Sequence, residues 1–386
     1  MRITIVQGAF FPVPAVMGGA VEKVWHALGK EFSKQGHEVT HVSRQHLSLP
    51  VSEVVDGVRH MRIRGFDAPA SLLRLKVLDL IYSLRALRHL PPADILVTNT
   101  FWLPILVRDR RCGETYVHVA RHPKGQMRFY ARVARLQTVS QSVAAAIERE
   151  APRLRAKVRV IPYPFIDNGT AERSGRREKR ILYVGRIHPE KGLHLLLKAF
   201  AAIPHEKPDG WRLAIVGPSD LRFGGGGEAY LHDLHTLAEP IADRVDWLGP
   251  VFDPLRLSAI YREASIFVYP SLADRGETFG LAPLEAMSHG CALVVSSLPC
   301  FRDFIHDQVD GLFFDHLSEK PERQLANRLM ELMRDETQRA RLSAAAVSKA
   351  KEYGLDRIAS LFLDDFRSIL KPPPGDTAAA RPCASS

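Results

Sequence analysis

Short apolar runs of strand length alternate with amphipathic helical stretches along the chain, and the whole alternation happens twice. The runs "RITIVQG", "HEVTHVS", "GVRHMRIRG", "ADILVTN", "TYVHVA", "LQTVS" and "VRVIPYP" make the first series. Helices are expected between them, at 19–35, stopped by Gly36, and at 70–89. Such β-α alternation predicts a parallel sheet with helices on both faces. Residues 166–179, "IDNGTAERSGRREK", are polar without an apolar period and read as a linker. The alternation then restarts with "RILYVG", "WRLAIVG", "VDWLG", "SIFVYP" and "CALVVSS", followed by helical stretches over 319–353 and a last helix at 355–370. Asp253-Pro254 supplies an N-cap and first-turn pair for one of the helices between. Residues 371–386 lack the apolar content to fold and read as a disordered tail. The chain is therefore expected to be two doubly wound α/β domains in tandem, 1–165 and 180–354. The helix at 355–370 has the option of crossing back to the first domain. Open α/β sheets bind ligands outside the carboxyl ends of their strands, so two facing domains would leave a cleft for a two-substrate reaction.

Length supports this division, because 386 residues exceed the comfortable size of one core. No stretch approaches the roughly 20 apolar residues that span a bilayer. Cys112, Cys291, Cys300 and Cys383 are scattered and form no C-x-x-C pair, which suits a reducing, cytoplasmic setting and neither a disulfide framework nor structural zinc. Charge is uneven. Residues 1–166 hold 25 Lys and Arg against 12 Asp and Glu, a net +13, whereas the rest carries −3. A basic first half suggests an anionic partner, or simply a solvated basic surface. Nucleic acid is not expected, since no aromatic-interleaved motif accompanies the charge.

Two stretches carry candidate chemistry. In "YVGRIHPEKG", residues 183–192, Arg186 and Lys191 bracket a short loop between a strand and a helix. Two cations near a helix N-terminus suit a diphosphate, because backbone amides and the helix dipole add to their charge. In "GETFGLAPLEAMSHG", residues 276–290, Pro283 suits a first helical turn, which puts Glu277 on the loop and Glu285 inside the helix. So separated, the carboxylates could grip different hydroxyl pairs of one elongated ligand. Glu285 is also explained as an acidic residue in a first turn; Glu277 has no such structural reason. Gly18-Gly19, before the first helix, allows close backbone approach to a ligand but does not form G-x-G-x-x-G. The run "GGGG" at 224–227 reads as a flexible loop.

Together, "GRIHPEKG" and "ETFGLAPLEAMSHG" resemble the nucleotide-sugar site of the retaining family-4 glycosyltransferases of the GT-B fold, also described as glycosyl transferases group 1. "GGAVEKVWHALGKEFSKQGHEVT" is similar to that family's first loop and helix, and "PYPFIDN" to its interdomain junction. The resemblance implies two Rossmann-like domains around a cleft, the first for the acceptor and the second for the donor. It implies that Arg186 and Lys191 hold the donor diphosphate, that Glu277 binds the transferred sugar, and that Glu285 binds the ribose. It gives the amides of Phe279, Gly280 and Leu281 to sugar or phosphate, and Gly18-Gly19 to the phosphate from across the cleft. His118 resembles the family's active-site histidine. "HVARHPKGQ" adds His122 as a second candidate, with Arg121 and Lys124 on the acceptor side.

The implied function is transfer of a hexose from a UDP- or GDP-sugar to a glycan or lipid-pyrophosphate-linked acceptor, with retention, in the synthesis of cell-surface polysaccharide or glycoconjugate. No D-x-D triplet occurs, so no metal site and no cofactor is expected. The basic helix at 70–89, with Arg74, Lys76, Arg85 and Arg88 beside a leucine face, could lie on an anionic membrane at the cytoplasmic side, or pack on the sheet with its basic side solvated. Alternatives are a sugar-nucleotide epimerase or phosphorylase on a similar scaffold, or a non-catalytic sugar-binding relative. A dehydrogenase would need the dinucleotide fingerprint that is missing here.

Overall fold

The computed structural model describes residues 1–69, 71–166, 177–204 and 210–371. Most of the linker expected at 166–179, and all but Lys371 of the tail expected at 371–386, lie outside the described residues.

The first domain contains β1 (Arg2–Val6), α1 (Ala20–Lys34), β2 (Glu38–Arg44), β3 (Ser52–Val55), β4 (Val58–Ile63), α2 (Leu72–Leu87) and β5 (Ile95–Thr98). It continues with α3 (Leu103–Leu106), β6 (Glu114–Val119), β7 (Arg135–Thr138), α4 (Gln141–Glu150) and β8 (Val158–Val160). Its eight strands run β3-β4-β2-β1-β5-β6-β7-β8. Seven of them are parallel; β3 is antiparallel to β4 and departs from the all-parallel expectation. Asp56 and Gly57, with φ of 49° and 78°, make the two-residue turn that doubles the chain back there. The chain order reverses between β1 and β5, and that switch point is where an open sheet leaves a crevice.

Helix α2 sits the other way round from a sheet-packing leucine helix. Its buried residues are Asp79, Tyr82, Ser83 and Ala86, whereas Leu72, Leu73, Val77, Ile81 and Leu84 are exposed. Asp79 explains the inversion. Its carboxylate accepts the amides of Phe101 and Trp102, and burial pushes its carboxyl up to about 6.

The second domain contains β9 (Glu178–Val184), α5 (Leu193–Ala201), β10 (Arg212–Val216), α6 (Gly227–Ala238), β11 (Val245–Gly249), α7 (Pro254–Glu263) and β12 (Ala264–Tyr269). Then come α8 (Leu281–Ser288), β13 (Ala292–Ser296), β14 (Leu312–Phe314), α9 (Pro321–Arg334) and α10 (Glu336–Ala350). The six strands are all parallel, in the order β11-β10-β9-β12-β13-β14. Strand β12 is buried at every position, as a central parallel strand covered on both faces requires.

The last helix, α11 (Leu355–Leu370), packs on the first domain. Phe362 and Phe366 enter an aromatic cluster with Trp25, Phe32 and Tyr116, in mostly edge-to-face pairs 4.8 to 6.4 Å apart. Buried Asp365 accepts the Tyr116 hydroxyl at 2.9 Å and pairs with Arg135 at 2.8 Å. Where the chain passes between the domains, the Phe165 amide donates to the Tyr353 carbonyl at 2.6 Å. The two crossings are thus joined to each other.

Candidate active site

The carboxyl end of β12 leads into the segment that carries both glutamates. Ser271, Glu277 and Thr278 follow on a loop, and α8 starts after Gly280. Gly280 has φ 105°, and a Cβ there would meet the Phe301 ring at 2.6 Å, so only glycine lets the chain turn into the helix. Gly19, at the start of α1, is its counterpart across the cleft: φ is 109°, and a Cβ would meet the Glu22 carboxylate at 2.2 Å.

Glu277 Oε2 accepts from Lys191 Nζ at 2.6 Å and from the Ser271 hydroxyl at 3.2 Å. The two charged side chains are only 12% and 6% exposed, so each is the other's main compensation for lost water. The Lys191 ammonium also lies 5.6 Å from the centre of the Tyr269 ring. Arg186, more open, pairs with Glu190 at 2.6 Å and donates to the Gly224 carbonyl at 2.5 Å. The glycine run at 224–227 is therefore a close-packed turn and not the flexible loop expected. A Cβ at Gly225 would meet the Ser219 carbonyl oxygen at 2.1 Å, and the Gly226 amide donates to the Ile187 carbonyl at 2.7 Å. The run braces the Arg186 loop from behind.

Glu285 lies on α8 and is held from both sides of the cleft. Lys23 of α1 reaches Oε1 at 2.9 Å, and the Tyr261 hydroxyl donates to Oε2 at 3.2 Å. The Thr278 hydroxyl donates to the Ala120 carbonyl at 3.0 Å, and the Gln141 amide to Asp303 at 2.7 Å. The Phe279 ring meets Tyr163 edge-on at 5.7 Å. The carboxyl ends of β6 and β12 consequently face one another, with the glutamate segment between them.

The expected active-site histidine does not face open space. His118 is 3% exposed on β6, with Nδ1 2.6 Å from Gln137 Oε1 and Nε2 3.1 Å from the Tyr163 hydroxyl. Trp25 packs edge-on against it at 5.4 Å. Burial holds its imidazole down at about 4, so it is neutral and acts on the cleft by fixing Tyr163, which in turn meets Phe279. His122 is half-buried, 3.4 Å from the Ser142 hydroxyl, and burial and then Arg149 and Arg275 lower its pKa. Arg121 and Lys124 are exposed. Burial raises the Glu22 carboxyl above its ordinary range, against its own backbone amide and the charge of Arg121.

Several site residues escape sequence reasoning. Lys23 and Glu190 lie inside "MGGAVEKVW" and "HPEKG", one helical turn from a residue already chosen, and that spacing was an available signal. Ser271 and Tyr261 reach the glutamates only through the fold. At the first domain's switch point, Gln7 Oε1 and Asn99 Oδ1 are buried acceptors with no donor among the described residues. Among those residues no group of three His, Cys, Asp or Glu converges as a metal site requires.

Residues 170–349 match the family described as glycosyl transferases group 1. Along most of its length the chain is 26% identical to spore coat protein SA of Bacillus subtilis, covering 94% of this chain and 98% of that one. It is 32% identical to a D-inositol 3-phosphate glycosyltransferase of Segniliparus rotundus over 50% of this chain, which spans 41% of that enzyme. Among solved structures, sucrose-phosphate synthase from Thermosynechococcus elongatus superposes with a TM-score of 0.78 at 19% identity, covering 96% of this chain and 99% of that one. Anabaena HepE, solved with UDP and glucose, gives 0.71 at 16% identity, covering 95% and 100%. Residues 170–349 of the second domain thus match the group 1 glycosyltransferase family, and the chain as a whole has the two-domain GT-B architecture of these solved structures.

Proposed function

We propose that this protein transfers a hexose from a UDP- or GDP-sugar to an anionic glycan or lipid-carried acceptor with retention of configuration, in the building of a cell-surface polysaccharide or glycoconjugate. The observation that carries this reading is the Lys191–Glu277 pair, held beside Arg186 at the carboxyl edge of the second sheet. In the reaction the acceptor hydroxyl attacks the anomeric carbon from the face that the nucleotide leaves. The bond from that carbon to the phosphate oxygen breaks, and the hydroxyl proton passes to the departing phosphate. Lys191 and Arg186 stabilise the negative charge that develops there, so no divalent metal is required. Glu277 holds the sugar hydroxyls, Glu285 the ribose, and the amides at the start of α8 add their dipole.

UDP and glucose in the HepE structure favour a UDP-sugar donor, and the inositol 3-phosphate in the relative's name favours an anionic acceptor. The unpartnered carbonyl oxygens of Gln7 and Asn99 suit acceptor hydroxyls. No described helix is long and apolar enough to cross a membrane. The exposed leucine face of α2, flanked by Arg74 and Arg88, instead suits peripheral contact with an anionic leaflet.

Thermal stabilisation by UDP, GDP and ADP, followed by their sugars, is the direct test, with product anomer and linkage read by NMR. Indifference to every nucleotide would end the transferase reading, and an inverted product would end retention. Turnover should survive a chelator; loss of activity that magnesium or manganese restores would refute the metal-free step. Absence of binding to anionic liposomes at low salt would remove the membrane contact.

A further inference from the structure

Two cavities share one lining residue, Arg64, just past the end of β4. The first, of about 450 Å³, is walled by Met17, Arg44, His46 and Arg64, and so lies beside the Gly18-Gly19 loop. The second, of about 310 Å³, is walled by Val51, Met61 and Ile63 together with Arg64, and has Arg85 and His89 at its rim. Both cavities mix cations with apolar side chains, the second presenting the more apolar surface, and both are lined by Arg64.

Four arginines meet at this edge, and three are already committed. Arg62 is buried against Glu53, with its other nitrogens on the carbonyls of Val13 and Pro50. Arg44 holds the Phe10 carbonyl at 2.7 Å and Asp67 at 2.5 Å, which neutralises the carboxylate on the cavity rim. Arg85 donates to the Arg64 carbonyl at 2.8 Å and lies 5.0 Å over the Phe66 ring. The exposed guanidinium of Arg64, of these four, has no acceptor among the described residues. Three fixed arginines thus frame one free fork, and a phosphate ester matches that fork with two parallel charge-assisted hydrogen bonds.

We propose that this edge of the first domain is a bipartite site for a phosphate ester on an apolar chain. The phosphate lies between Arg64, Arg44 and His46, and the chain runs along Val51, Met61 and Ile63. That the ligand is the sugar acceptor rests on the transferase reading above; its binding does not. The rim of the apolar cavity is the end of α2, where Ile81 and Arg85 share a helix face, so a chain leaving the groove meets the exposed side of that helix. An alkyl phosphate drawn from a membrane under α2 would therefore stay in contact with apolar surface until its phosphate reaches Arg64.

The test titrates the full chain by calorimetry with decyl phosphate below its aggregation concentration, with glycerol 1-phosphate, and with decyl maltoside. Decyl phosphate should bind saturably at one site, at least about tenfold tighter than glycerol 1-phosphate, and decyl maltoside should not saturate. Arg64→Ala should weaken both phosphates by about tenfold; Val51→Asp, at an exposed position, should weaken decyl phosphate alone. Equal affinity for the two phosphates removes the apolar half. Saturable decyl maltoside binding, or decyl phosphate binding indifferent to Arg64, overturns the site. UDP titrated into the same variants reads the donor site separately. Loss of the transferase reading would leave an alkyl phosphate site standing, and loss of this site would leave the donor chemistry intact.

Discussion

The carboxyl edges of the two sheets differ in what they leave unpaired. In the second domain the candidate donor groups are paired in advance, Lys191 with Glu277 and Arg186 with Glu190. In the first domain Arg44, Arg62 and Arg85 are paired as well, but Arg64 is free and two buried amide oxygens, of Gln7 and Asn99, lack donors among the described residues. A buried charge left alone costs about 3–5 kcal/mol, so the enclosed Lys191 and Glu277 must compensate each other. The exposed Arg64 has no such requirement, because water compensates its charge, and it can stay unpaired until a ligand binds. Fixed positions mark one edge and unspent hydrogen-bonding capacity the other.

The largest break in that contrast should come from Glu277→Ala, with turnover falling by about a thousandfold or more in a product assay while nucleotide binding persists. Lys191→Ala should reduce both turnover and nucleotide affinity. Either variant should also lower the melting temperature by exposing the loss of a buried partner; Lys191→Met with Glu277→Leu should recover stability without activity. Full turnover in either single variant would refute its role.

Next in size is a pH effect confined to the first domain. His41 stacks on His60 at 5.7 Å and His26 lies 5.5 Å from His60, on β2, β4 and α1. Burial, and then repulsion among the rings and Arg62, holds His26 and His60 down to about 4 and His41 well below its usual value; Lys30 adds repulsion, and Asp56 and Glu53 oppose it. These histidines are neutral when folded and protonate more readily when unfolded. Their contribution is present above about 6.5 and is lost as pH falls toward 4, with a slope approaching about 1.4 kcal/mol per pH unit for each. Urea midpoints across that range should fall, and His41→Phe with His60→Phe should flatten the fall. An unchanged slope would place the acid sensitivity elsewhere.

Smaller effects belong to the bridge between the edges. Glu285→Gln should weaken nucleoside diphosphate binding about tenfold. Lys23→Met removes the ammonium that crosses the cleft to Glu285 and should change nucleotide affinity by about two- to fivefold, with the domains further apart by X-ray scattering in solution. Identical scattering would mean that Thr278 and Asp303 hold the cleft without it.

Much of this was legible in the sequence, and the misses share a cause. Strand and helix placement followed from apolar period, as in the wholly buried run at β12. The Gly and Pro of "GETFGLAPLEAMSHG" marked the turn and the first helical turn where they occur. The antiparallel β3 was readable too, since Asp56-Gly57 between "SEVV" and "VRHMRI" is a hairpin signal that the longer runs obscured. What local pattern could not convey was contact at long range. Tyr261 on Glu285, Tyr163 on His118 and Gly224 on Arg186 are pairings 24 to 45 positions apart that exist only once the sheets are assembled. The inversion of α2 belongs to the same class, because Asp79 points inward for two amides on the 101–102 loop.

Helix α11 gives the molecule an order in time. The slot formed by Trp25, Phe32 and Tyr116 is filled by Phe362 and Phe366, so the domain made first is completed by a helix made after the whole second domain. During translation that aromatic slot stays open for the whole time the second domain takes to emerge and fold. A chain stalled before α11 would display a greasy groove on an otherwise finished domain, so this helix reports that the second domain has been made.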